Sequence, residues 1–488
     1  MQNNGGNMNI QSVLKDVKYQ GTVKDFDTDF VTDDSRKVRA GCVFVCSKGL
    51  TFDGHTFAAK ALEIGAKLVV CERDMGLEDQ IIVENSRQTY SLMCANLFGN
   101  PSRKMKMIGI TGTNGKTTSA FLIKDLLEQQ GKKVGLMGTV QNMIDQQIIP
   151  AKFTTPQPYE LQALLALMYK SGCEYVVMEV SSQALVQNRL YGITYDVAVF
   201  TNLTQDHLDY HITLENYLQA KLKLFKMAKK AVVNIDDEYA ERVIQACSGE
   251  VITYSAQKNE ADFTAKEIKF LPTRVCYELV TNCNIGRVKV STPGIFSVYN
   301  SMCAGIAGIA VGIDFKDVVA SLSEVSTVKG RVELVECDEE FTPVIDYAHT
   351  PDALENVLKT LREIAPDHEL ICLFGCGGDR DRTKRPEMAR IAEKMADRII
   401  VTSDNSRTEK TTDIMADIKA GLELSGRAKS LFIEDREQAI RTAIMIAGQG
   451  ATILLAGKGH ETYQIIGKEK HHFDEKEIVN GIFAEMSI

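Results

Sequence analysis

Residues 111–118 read Thr-Gly-Thr-Asn-Gly-Lys-Thr-Thr. Glycines let backbone N–H groups close around an anion, and a lysine and hydroxyls follow at once. This is the residue set that phosphate chemistry needs. Gly112, Thr113, Asn114, Gly115, Lys116, Thr117 and Thr118 therefore form a candidate ATP site. Lys116 would bridge the β- and γ-phosphates, and the Thr117 hydroxyl would reach Mg²⁺. Phosphate loops of the common kind carry a glycine five residues before the second one. Ile110 stands there in this chain, so the loop is tighter than in common kinases and GTPases.

Further reactive groups follow apolar runs. Glu179 ends the run Tyr175–Met178 and lies where the second Mg²⁺ ligand of an ATPase is expected. Asp196–Phe200 opens into Thr201–His211, which holds Asp206, His207, Asp209 and His211, a set suited to metal and phosphate chemistry. Later runs lead into Asp346–His349, Gly375–Arg380, Thr402–Arg407 and Gly457–Glu461. Gly377-Gly378 opens no dinucleotide-type helix, so a second nucleotide site there is not expected.

The elements that position these groups are legible as patterns. Met105–Ile110 reads as a buried strand, and a helical period runs from Ser119 to Gly131. Tyr217–Phe225 reads as an amphipathic helix bearing Lys221 and Lys223. Upstream, Val43–Val45 and Ala66–Cys71 read as strands, and Thr56–Ile64 as a helix stopped by Gly65. Two polar clusters, Asp33–Arg36 and Lys48–His55, read as loops. Asn100-Pro101-Ser102 and Lys329-Gly330-Arg331 break the pattern. The expected class is α/β in three domains: 1–104, 105–333 with a parallel sheet, and 334–488 as an open sheet with polar loops beyond its carboxyl edge.

The 488 residues are 44% hydrophobic and 25% charged, as in ordinary globular proteins. A net charge of −9 argues against nucleic acid as the main partner. Residues 1–11 are polar and lack an apolar core, so no signal peptide is expected, and no run approaches the length of a membrane span. Twelve cysteines lack any Cys-x-x-Cys pair, and most sit in apolar runs. Together these features lead to the expectation of a cytoplasmic protein without structural zinc or disulfides.

In order along the chain, GTNGKTT, TNLTQDHLDYH, AKLKLF, DYAHTPD, FGCGGDRD, SDNSR and GKGHE resemble the Mur ligases of peptidoglycan synthesis. Within that family the resemblance is to the branch that extends UDP-N-acetylmuramoyl-L-alanyl-D-glutamate by a third residue. It implies an N-terminal UDP-binding domain, a central ATPase domain and a C-terminal Rossmann-like domain for the incoming amino acid. Ser35 and Arg36 would meet the uridine-diphosphate end. Thr154, Thr155, Ser181, Gln187 and Arg189 would hold the muramoyl-dipeptide. Asn300, Arg331, Asp346 and His349 would complete the ATP site. Arg380, Asp404, Asn405, Arg407, Gly457 and Glu461 would hold the amino acid. Thr117 and Glu179 would take one Mg²⁺, and His207 with a carbamylated Lys221 the second.

The resemblance also implies phosphorylation of the D-glutamate γ-carboxylate and attack by an amine on the acyl phosphate. Arg407 points to meso-diaminopimelate, with L-lysine as the alternative. A folylpolyglutamate synthetase-like ligase and a non-catalytic ATP-binding switch stand as other readings. The chain is expected to act as a monomer. Gln183, Ser297 and Ser406 depart from residues common in the family, which have histidine, asparagine and proline there.

Overall fold

The computed structural model describes residues 6–49, 52–271, 273–325, 328–335 and 341–486. Leu50 and Thr51 of the 48–55 cluster lie outside them. Among the described residues, three large sheets carry the chain, beside two two-stranded ones. The first has four parallel strands in chain order, Val31–Thr32, Val43–Val45, Leu68–Cys71 and Gln80–Ile82. Its two central strands are entirely buried, which is why they read as unbroken apolar runs. The helix Ala58–Ile64 stops at Gly65, whose φ of +111° only glycine adopts at little cost.

The second sheet has eleven strands. Its middle is parallel, in the order Val134–Met137, Tyr175–Glu179, Lys106–Thr111, Tyr195–Phe200, Ala228–Asn234, Glu250–Ser255 and Phe263–Leu271. The expected parallel sheet is present, and antiparallel strands extend it on both flanks. Asn142–Ile144 and Gln147–Ile149 extend one side, and Arg274–Val280 and Ile285–Val290 the other. Strands 263–290 follow one another without crossover helices and expose alternate residues, and such meanders pair antiparallel.

The helices Lys116–Gln129 and Ile295–Ala310 pack together on one face over Ile108, Ile110, Val177 and Val199. Leu161, Leu165, Leu218 and Phe225 cover the other face. The helix after the glycine loop begins at Lys116, three residues before the periodic pattern.

The third sheet runs Glu333–Leu334, Thr342–Asp346, Thr452–Ala456, Leu370–Phe374, Arg398–Val401 and Ser430–Phe432. All but the first pairing are parallel. Among the described residues, no helix is long and apolar enough to cross a membrane.

Candidate active site

Strand Lys106–Thr111 lies between Tyr175–Glu179 and Tyr195–Phe200, with Ile110 opposite Glu179 and Thr111 opposite Phe200. This register sets the glycine loop, Glu179 and the 201–211 loop side by side at one sheet edge. A Cβ on Gly112 would overlap the Thr201 hydroxyl, and one on Gly115, at φ +85°, would overlap Asn300 Oδ1. The loop is held from outside. Thr201 Oγ1 donates to Asn114 O (2.7 Å), Asn114 N to Asn202 Oδ1 (2.9 Å) and Thr113 N to Asn202 O (2.9 Å). Gly115 gives the following helix no side-chain cap, so its first N–H groups remain donors for an anion.

Two ammonium groups converge on this loop. Lys116 Nζ donates to Gly112 O (2.9 Å) and Thr113 O (2.8 Å), and Lys221 Nζ donates to Gly112 O (2.7 Å). Lys221 is 1% exposed and lies 4.3 Å from the centre of the Tyr217 ring. Burial, and then the charge of Lys116, draws the Lys221 pKa well below the ordinary lysine range. Burial lowers that of Lys116 as well.

Glu179 is 1% exposed and accepts from Thr117 Oγ1, Thr139 N and Thr139 Oγ1, each at 3.0 Å. The Thr139 hydroxyl is also 3.0 Å from that of Thr154. Beside them Asp206 Oδ2 lies 3.4 Å from His207 Nε2. Burial pushes the Asp206 carboxyl up, but His207, Lys384 and His349 outweigh it and hold the pKa at about 2. Desolvation lowers the His207 pKa, which favours its neutral ring.

The edge of the third sheet meets this loop. Asn114 Nδ2 donates to Asp352 Oδ2 (2.7 Å), and Gln205 Nε2 to Thr383 Oγ1 (3.2 Å). Lys384 Nζ donates to His349 O (2.8 Å). Tyr347 packs against His349 and His460, with ring centres 4.7 and 4.8 Å away and planes tilted by 58° and 42°, and the Arg331 guanidinium lies 4.7 Å from its centre. Arg331 Nε is buried without a partner among the described residues. Asp346, buried and raised in pKa by that burial, accepts from Val332 N (2.8 Å) and Ala348 N (2.7 Å). Of the ATP set expected from the sequence, Asn300 thus lies against the glycine loop at Gly115, while Arg331, Asp346 and His349 gather around Tyr347 at the third sheet's edge.

The muramoyl-dipeptide set forms a second cluster against Glu179. Thr155 Oγ1 donates to Glu179 O (2.8 Å) and accepts from Ser181 N (3.0 Å). Arg189 donates to Thr155 O (2.7 Å) and twice to Gln187 Oε1 (2.9 and 2.7 Å). Ser35 and Arg36 stand apart in a turn of the N-terminal sheet, where Arg36 grips Asp34 through two bonds of 2.9 Å.

The amino-acid set centres on a residue that sequence reasoning left unassigned. Lys458, 0% exposed, reaches Asp404 Oδ1 (3.3 Å), Asn405 Oδ1 (3.2 Å) and Glu461 Oε2 (3.1 Å). Asn405 Nδ2 also donates to Glu461 Oε2 (2.9 Å). Gly457, at φ +115°, joins this cluster to the ATP set by donating its N–H to Asp346 O (3.0 Å).

Arg407 Nη1 donates to Gly378 O (2.8 Å) and Asn405 O (3.3 Å), and Arg380 Nη1 to Asp379 O (2.8 Å). Burial first, and then the nearby Arg380 charge, lowers the Arg407 pKa. Thr139, Asp352 and Lys384 were also unassigned from the sequence, whereas Asp206 belongs to the His-Asp set picked out there. Lys458 lies inside the GKGHE motif, whereas a lone Thr139 gives no signal before the fold is known. Of the departures, Ser297 bonds its own helix start, at Pro293 O (3.0 Å), and Ser406 is buried.

Family descriptions match along the chain: "Mur ligase family, catalytic domain" over 27–93, "Mur ligase middle domain" over 110–308, and "Mur ligase, glutamate ligase domain" over 330–459. The UDP-N-acetylmuramoyl-L-alanyl-D-glutamate--2,6-diaminopimelate ligase 1 of Clostridium acetobutylicum is 43% identical over 98% of this chain and 100% of its own. The corresponding ligase of Caldanaerobacter subterraneus is 44% identical over 98% of this chain and 99% of its own. A solved ligase of the same name superposes with TM-score 0.69 at 35% identity, covering 95% of this chain and 96% of that one. A folylpolyglutamate synthase of Mycobacterium tuberculosis, at 19% identity, TM-score 0.63 and coverage of 76% and 92%, shares the fold.

Proposed function

This chain belongs to the Mur ligase family, and from that premise we propose that it joins meso-diaminopimelate to UDP-N-acetylmuramoyl-L-alanyl-D-glutamate with consumption of ATP. One observation carries the reading. A continuous set of polar contacts runs from Thr117, next to the glycine loop, through Glu179 to the Thr155–Arg189 cluster. A separate bond ties Asn114 of that loop to Asp352, in the helix that follows strand Thr342–Asp346 of the sheet whose polar loops include Arg407. Phosphate donor, carboxylate and amine would therefore meet at one place. Units 1–104, 105–333 and 334–488 would each take one substrate. One chain carries a candidate set for each of the three substrates, so a monomer would suffice. The cytoplasm suits both ATP and the described cysteines, all of them free.

The chemistry asks the protein for position and charge rather than a nucleophile. Lys116 lies on the loop that would cradle the phosphates, and its ammonium would face charge building on the transferring phosphoryl group. Arg189, Gln187 and Thr155 would hold the muramoyl-dipeptide so that its γ-carboxylate faces that group. The acyl phosphate so formed is opened by the amine, and phosphate leaves. The cluster around Lys458 would fix the amino-acid end of the incoming molecule.

The residues fit Mg²⁺. Thr117 and Glu179 present hard oxygens 3.0 Å apart. Among the described residues no three His, Cys, Asp or Glu side chains form a ready cage, so substrate phosphates would complete the coordination. Bound there, Mg²⁺ would neutralise phosphate charge. Lys221 suits carbamylation, since its depressed pKa leaves a free amine to add CO₂ with loss of a proton. The resulting carbamate, with His207, would supply the second set of ligands.

The test is mass detection of a new amide after incubation with ATP, the UDP-muramoyl-dipeptide and each candidate amino acid. ATP hydrolysis without amide formation would overturn the reading.

A further inference from the structure

Arg385 lies in the helix Lys384–Met395, behind the loops that carry Arg380 and Arg407, and is 0% exposed. Its Nη1 donates to Glu409 Oε2 (2.9 Å) and Asp417 Oδ2 (2.8 Å). Its Nη2 donates to Glu409 Oε1 (2.8 Å) and Gly377 O (3.2 Å). Glu409 Oε1 also accepts the N–H of Asp379 (2.6 Å). The Asp379 carboxylate in turn accepts the Thr408 hydroxyl (2.7 and 2.9 Å) and N–H (3.2 Å). These bonds close a ring that ties residues 377–379 to residues 408–409, and Arg407 sits inside it.

Arg407 is in a conformation that needs such support. Its φ is +52°, in the left-handed region where a non-glycine residue is strained. Its side chain donates to Gly378 O (2.8 Å), and Gly378 N–H donates to Asn405 O (2.9 Å). A Cβ on Gly378 would overlap Ser406 O, so the two loops touch backbone to backbone. The direction of the Arg407 guanidinium therefore depends on where residues 377–379 lie, and the four bonds of Arg385 set that place. A lysine offers three donors from a single nitrogen and cannot reproduce a planar fork that serves two carboxylates and a carbonyl at once.

We propose that Arg385 is a positioning residue for amino-acid selectivity. From behind the loops it aligns Arg407 with Arg380 as the subsite for a side-chain carboxylate, without touching the amino acid. This rests on the functional reading above.

The experiment measures kcat/KM for meso-diaminopimelate and for L-lysine in the wild type, Arg385→Lys and Glu409→Gln. KM for ATP and for the UDP-muramoyl-dipeptide, and Tm, are measured on the same samples. Arg385→Lys is expected to cut the preference for diaminopimelate at least tenfold, chiefly through its KM, with the other two KM values within twofold. Glu409→Gln should act in the same direction and decides the matter if Arg385→Lys does not fold. The preference is a ratio, so a lower fraction of active enzyme does not move it. A wild type that prefers diaminopimelate, with variants that keep the preference while losing Tm, would make Arg385 merely structural and overturn the proposal alone. A wild type with no preference would overturn the functional reading and this proposal with it.

Discussion

The side-chain amide of Asn114, in the glycine loop, donates to the carboxylate of Asp352 at 2.7 Å across 238 positions of sequence. Asp352 lies in the first turn of the helix Pro351–Ile364 and also accepts from Asn356 Nδ2 at 3.2 Å. Burial raises its pKa, and the Asn114 bond opposes that rise. Loss of a hydrogen bond to a charged group costs about 1.5–3 kcal/mol, or roughly 10- to 100-fold at about 1.4 kcal/mol per decade. Asp352→Ala is expected to raise KM for ATP by about that factor and to leave KM for the UDP-muramoyl-dipeptide unchanged. An unaltered ATP dependence would mean that the contact does nothing for the loop.

Lys116→Ala should lower ligation by about a hundred- to a thousandfold, the scale of losing one donor aimed at the reacting group. Lys116 Nζ bonds carbonyls of its own loop, and the helix behind it packs through Ala120, Ile123 and Leu127, so the fold should persist. Circular dichroism and phosphate release on one preparation check both parts. Near-normal release from the variant would remove Lys116 from the ATP site.

Lys221→Ala should be nearly inactive and partly restored by acetate or another small carboxylate. Removal of the Lys221 side chain, which is 1% exposed and whose Nζ lies 2.7 Å from Gly112 O, would leave a space that a short anion could enter. Intact-protein mass after trapping in bicarbonate should show the CO₂ adduct on active wild type. Activity from a preparation whose Lys221 carries no adduct would refute the modification.

His349 and His460, packed against Tyr347, are expected to give the fold a dependence on pH. Burial first, then Lys384 for His349 and Arg331 for His460, lowers their pKa values from 6.5 to about 4 and about 3. Between pH 6.5 and those values the unfolded chain binds protons that the folded chain does not. Stability is therefore full above pH 6.5 and falls as the pH drops. From pH 7 to pH 5 each histidine would cost up to about 2 kcal/mol. Urea midpoints should fall less over that interval in His349→Gln/His460→Gln than in the wild type. Equal falls would show that other groups carry the effect.

Much of this site could be read before the fold was known because its residues follow buried strands. Runs such as Tyr175–Met178 and Leu370–Phe374 are unmistakably apolar, and parallel strands put their carboxyl ends on one edge. What stayed hidden depends on pairing between distant segments. Thr139 meets Glu179 only because strand Val134–Met137 lies next to Tyr175–Glu179. Asp352 and Lys384 acquire their roles from the approach of the third sheet to the second, which no local pattern encodes. The antiparallel flank 263–290 was missed because alternation looks alike in parallel edges and in meanders.

Arg407 provides the sharpest test of substrate. meso-Diaminopimelate and L-lysine differ by one carboxylate at the far end of the side chain, so the discriminator must be a group that pairs with it. Arg407 donates to the Gly378 and Asn405 carbonyls, and its Nη1 is its bonded nitrogen. Its neighbour Arg380 disfavours its charge, as burial does, and a bound carboxylate would relieve both penalties. With L-lysine the pair would stay uncompensated, at a cost of about 2–5 kcal/mol. At about 1.4 kcal/mol per decade this is roughly 30-fold to several thousand-fold in preference. The wild type should show that preference in kcat/KM, and Arg407→Ala should bring the ratio towards unity, mainly by raising KM for diaminopimelate. Comparable use of L-lysine by the wild type, or a preference untouched in the variant, would place the discriminating group elsewhere.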